Sequence, residues 1–196
     1  MQRSTLKSAG LFLLFASVAA AHTSYENSGG FVSGFMHPLT GMDHMLAMFA
    51  VGLWGAQLGM PAVWMLPVAF PMVMAVGGMI GMLGISFPFV EIGVAGSALA
   101  LGACVLFEYR PKQLWLAAVL VGFFGLFHGN AHGTELPEGS NGMLYSIGFV
   151  IATGLIHMSG VAIGLIHRWP FGRIALRAAG AAVGVAGTFF LWNAVS

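Results

Sequence analysis

Six apolar stretches, each about the 20 residues a helix needs to cross a bilayer, take up most of this chain. They run roughly 36–58, 62–84, 88–108, 112–132, 142–167 and 172–194. Only 7% of residues are charged, where a soluble domain carries about a quarter, and mean hydropathy is +0.89. The expected fold is all-α: a polytopic membrane protein built as a six-transmembrane-helix bundle. Net charge of +1, with no basic run, gives nucleic acid nothing to bind. A single cysteine, Cys104, read as buried and inert, excludes an intrachain disulfide and any Cys-x-x-Cys metal site.

The connectors carry the breakers and the charge: Gly59-Met60-Pro61, Ile85 to Pro88, Glu108 to Lys112, Gly133 to Asn141, and Arg168 to Arg173. Pro67 and Pro71 inside the second segment predict a kink. Small residues recur at four-residue spacing, as in Gly77/Gly81, Ala98/Gly102, Gly160/Gly164 and Gly180/Gly184. That pattern lets membrane helices approach closely. Nothing resembles a linker, so residues 22–196 read as one domain.

The N-terminus differs in kind. Arg3 and Lys7 precede a short apolar run that ends in Ala19-Ala20-Ala21, which reads as a secretory signal peptide over residues 1–21. Cleavage there would leave His22 first, with an amine and an imidazole able to chelate a metal once both are deprotonated. With the mature N-terminus outside, Arg110, Lys112, Arg168, Arg173 and Arg177 all fall on the cytoplasmic side, as the positive-inside bias requires.

Against this charge-poor background two histidine–carboxylate clusters stand out: His37 to His44, and Phe127 to Glu135. Ionisable groups near lipid are costly and mark ion paths or pair with one another. His128 and His132 are four apart and share a helical face, so both can bind one ion. Gly129 and Gly133 beside them leave room for an ion or a neighbouring backbone. His37 and His44 would lie roughly 10 Å apart along one helix, too far for one ion. Pro38 suits the first helical position, which leaves two options: His37 folds back from a non-helical entry, or it belongs to a second site. The topology gathers His37, Asp43, His44, His128, His132 and Glu135 at the outer rim, with Glu91 at the same level. His157 lies deeper as a second station, and His167 is interfacial. Met36, Met42, Met45 and Met48 follow near-helical spacing, either as soft copper ligands or as core filler.

At these two clusters the sequence resembles the HupE/UreJ family of hydrogenase and urease accessory proteins. The matching elements are His37, Asp43 and His44 in a His-x5-Asp-His pattern, and Phe127 to Glu135 in a Phe-His-Gly-x-Ala-His-Gly-x-Glu pattern. The resemblance implies a nickel or cobalt permease in the bacterial inner membrane, with the residues of both clusters needed for uptake. Imidazole also suits copper and zinc, and spacing alone does not separate these ions. No Walker motif is present, so ATP-driven pumping by this chain alone is excluded. Two other readings fit the same residues: an intramembrane metal-dependent hydrolase with Glu135 or Asp43 as general base, and a periplasm-facing metal chaperone or sensor. A homo-oligomer is left open.

Overall fold

The computed structural model describes residues 30–135 and 141–196. The signal segment 1–21, His22 and the middle of the acidic connector lie outside the described residues. Among the described residues seven α-helices follow in order: α1 Phe31–Thr40, α2 Met42–Leu58, α3 Ala62–Met82, α4 Val90–Leu106, α5 Leu114–Thr134, α6 Gly142–Gly164 and α7 Pro170–Val195. A single 3-10 turn, Leu165–Arg168, joins the last two.

Among the described residues four spans are long and apolar enough to cross a membrane: Ala62–Met82, Leu114–Thr134, Gly142–Arg168 and Pro170–Val195. The α4 helix is apolar but shorter. Outward faces of α3, α6 and α7 carry Trp64, Met72, Val150, Leu155, Val185 and Phe189 exposed. Helices that are hydrophobic on the outside as well as the inside belong in lipid. The α2 helix is the central rod, with Ala47, Met48, Val51, Leu53 and Trp54 fully buried.

Small residues set the helix pairs. α3 packs on α5, α4 on α7, and α2 on α6. At Gly81 an added Cβ would come within 2.6 Å of the Asn130 carbonyl, and at Gly102 within 2.8 Å of the Gly180 carbonyl. At Gly160 it would collide with the Phe49 carbonyl. Backbones this close forgo side-chain volume for direct contact. Gly129 and Gly133 serve the same purpose: they face the carbonyls of Met74 and Gly78 on α3. Of the two uses the sequence allowed, they admit a neighbouring backbone.

The first apolar segment is not one rod. Gly41 is non-helical, with φ −80° and ψ 97°, and separates α1 from α2. Against α6, Phe31 lies beside Gly148 and Gly34 beside Tyr145, so α1 runs counter to α6. Gly52 lies beside His157 and Gly164 beside Leu53 and Ala56, so α2 runs with it. The chain therefore turns back on itself at Gly41. Pro38 lies inside α1, and His37 is helical, which corrects the expectation of a non-helical entry. The break follows from poor helix propensity at Gly41 and a fresh start at Asp43, whose carboxylate accepts from the His44 backbone N–H at 2.9 Å.

Elsewhere the segments match their expected bounds within a few residues, and α3 continues through Pro67 and Pro71. Cys104 is half-buried. At one end of the bundle, Trp54 Nε1 donates to the Tyr109 carbonyl at 2.8 Å, and Arg110 donates to the Gln57 carbonyl at 2.8 Å. That cation satisfies an orphan carbonyl at the negative end of α2. The histidine clusters lie at the opposite end.

Candidate metal centre

The last two turns of α5 place His128 and His132 on one face, both buried. Gly129 and Gly133 meet α3, and the two histidine rings lie against His44 of α2. His44, in the first turn of α2, completes a triangle: its ring centroid is 4.7 Å from that of His128 and 4.3 Å from that of His132. One ligand nitrogen from each residue lies within 4.8 Å of the others. His44 Nε2, His128 Nδ1 and His132 Nε2 are all buried and have no hydrogen-bond partner among the described residues. Buried lone pairs left unpaired are costly, and three that converge form a ligand set for a borderline divalent metal.

The outer nitrogens of two of these rings are already engaged. His44 Nδ1 lies 2.9 Å from Asp43 Oδ1, so the ring donates there and turns Nε2 inward. Ser97 Oγ, fully buried on α4, donates to the Val94 carbonyl. It must therefore accept from His128 Nε2–H, 2.8 Å away. Each interaction fixes a tautomer, as the partners behind metal-bound histidines do. Ser97 escaped the sequence reading because a serine one helix away, 31 positions earlier, leaves no local pattern.

A second group opens at the rim. His37 Nε2 is 2.9 Å from His132 Nδ1 and 3.3 Å from Glu135 Oε2, and His132 Nδ1 is 3.9 Å from the same carboxylate oxygen. Glu135 is half exposed, and His37 beside it holds its carboxyl below the usual carboxylate range. His37, His132 and Glu135 thus offer a mixed nitrogen–oxygen set. Tyr145 and Phe149 of α6 pack on this rim, with Phe149 4.6 Å from His132.

The family model described as HupE / UreJ protein matches residues 10–190. The chain belongs to the HupE/UreJ family. Protein HupE of Rhizobium leguminosarum bv. viciae is 42% identical to it over 180 residues, 91% of this chain and 93% of that one. No solved structure matches the chain. As a HupE/UreJ member it is a homologue of hydrogenase and urease accessory proteins.

In this HupE/UreJ chain the fold brings five of the six rim residues named from sequence into two adjoining groups that share His132. Asp43 is the exception: its carboxylate is turned to His44 and lies outside both groups, because the turn at Gly41 makes it a first-turn residue of α2. Glu91 is likewise in neither group. It is exposed in the first turn of α4, since α4 enters with Val94 and Ser97 facing inward. His157 is buried deeper, with Nδ1 donating to the Thr153 carbonyl and Nε2 unpartnered. Phe70 stands between it and the centre, 5.1 Å from the His128 ring and 5.4 Å from the His157 ring. Met42 is exposed and Met48 sits in the core, so the methionines do not line the centre together. Asn130, fully buried between the two α5 histidines, ties down the α3–α4 connector. It accepts from Phe87 N and donates to the Ile85 carbonyl, each at 2.7 Å.

Proposed function

We propose that this protein is an inner-membrane permease that admits a divalent transition metal, nickel by preference and cobalt as an alternative, from the periplasm to supply a metalloenzyme. The observation that carries the reading is the convergence of three buried, unpartnered imidazole nitrogens from His44, His128 and His132. Neutral imidazole suits nickel, and a site without thiolate binds loosely enough to release its ion.

The arrangement of groups supports a path. Glu135 and His37 receive the ion at an exposed rim and help strip its water, and the three-histidine set holds it below. His157, behind Phe70, offers a further stop. In this reading all six apolar segments cross the membrane after a signal peptide over residues 1–21 is removed. The histidine end faces the periplasm, because Arg110, Lys112, Arg168, Arg173 and Arg177 all belong to the opposite end. Entry of a divalent cation is driven by the membrane potential, which supplies about 2.3 kcal/mol per charge per 100 mV.

The test is nickel uptake into liposomes that carry the purified protein and a metal-sensitive dye inside. Dye response with the native chain, and none with His128→Ala plus His132→Ala, supports transport. Binding without any dye response would leave a chaperone or sensor instead.

A further inference from the structure

The two ligand groups share one side chain, and that side chain differs from its neighbours. His44 is held by Asp43 and His128 by Ser97, so each presents a fixed nitrogen to the deep group. The partner of His132, by contrast, is His37, itself a candidate ligand. His132 Nε2 is buried and unpartnered beside His44 and His128, and His132 Nδ1 faces His37 and Glu135, the ligands of the rim group.

A neutral imidazole has one lone pair, because its other nitrogen carries the proton. We infer that the rim and deep groups are alternative positions for a single ion, and that His132 commits to one or the other. With the ion at the rim, His132 binds it through Nδ1 and holds a proton on Nε2. With the ion in the deep group, Nε2 is the ligand and Nδ1–H donates to His37, which then orients the ring from behind. Passage between the two states moves one proton off Nε2 and one onto Nδ1, with water as carrier, so the ring's charge does not change. His132 is thereby a hand-over residue, and a second ion cannot bind at the rim until the first has left the deep group. The inference deepens the permease reading and rests on it.

The experiment is metal counting by calorimetry and elemental analysis on the purified full chain in detergent, with nickel as the only metal. One nickel per native chain is expected. One nickel is also expected for His37→Ala plus Glu135→Gln, which keeps the deep group, and for His44→Ala plus His128→Ala, which keeps the rim. Two nickels on the native chain would mean that both groups fill at once and overturn the inference, while the metal-binding reading stands. Zero nickel on the native chain would overturn both. X-ray absorption of the native complex adds a readout that folding does not mimic: a nickel–nickel vector across the ring contradicts single occupancy, and its absence with three imidazoles around one nickel agrees with it.

Discussion

Nε2 of His128 lies 2.8 Å from a serine hydroxyl, that of Ser97, which is itself bound to the Val94 carbonyl. This pairing decides which nitrogen of His128 meets an ion. Ser97→Ala is expected to weaken nickel binding by about 10- to 100-fold, the usual effect of losing a partner behind a metal ligand. Ser97→Thr keeps the hydroxyl and should retain most affinity. Titration calorimetry on both variants is the check, and equal losses would point to packing alone.

Asp43 acts through His44. Asp43→Asn keeps an acceptor beside the ring but removes the charge that raises its basicity, so affinity should fall by about tenfold. Asp43→Ala removes the acceptor too and should fall further. If either variant bound nickel as the native chain does, the orienting role would be lost.

Glu135 is held in its charged form by His37, so its ionisation is favoured above its lowered pKa and is lost only as the pH falls through it. The rim should therefore keep a charged carboxylate ligand until the pH falls below the ordinary carboxylate range. Glu135→Gln is expected to lower uptake by a similar factor across pH 5 to 7, because the native carboxylate is charged throughout that range. A loss confined to the upper part of that range would place the ionisation of Glu135 inside it and contradict the lowered pKa.

Gly129→Ala places a methyl group against the Met74 carbonyl, whereas Gly154→Ala on α6 meets nothing within 4 Å. The first should cost about 1–3 kcal/mol through overpacking. The second should gain up to about 1 kcal/mol from helix propensity. Thermal unfolding in detergent compares them directly, and similar melting temperatures would contradict the close approach of α3 and α5.

His157 belongs to neither ligand group and lies behind Phe70. His157→Ala should leave nickel stoichiometry and affinity unchanged while slowing liposome uptake by at least several-fold. Uptake at the native rate would remove His157 from the path.

Much of this was legible in advance. Lengths of the apolar segments reflect a fixed bilayer thickness, and the four-residue spacing of His128 and His132 reflects a fixed helical pitch. Both act within short windows, and beyond the first segment the helices fall within a few residues of the expected bounds. The turn at Gly41 divides the expected 36–58 segment, because a glycine followed by an acidic first-turn residue is a weak local signal inside a continuous apolar run. Ser97 and Phe70 carried no signal at all, since each meets its histidine only through packing between helices distant in sequence.

By itself the sequence determined an all-helical, strongly apolar chain, because hydropathy and side-chain type are properties of single residues and short windows. Only the tertiary structure decided that His37 and His44 both reach His132, that Asp43 and Ser97 stand behind the ligands, and that Glu91 stands apart. Those relations depend on a chain reversal and on glycine-mediated helix contacts, which set distances between residues far apart in the chain.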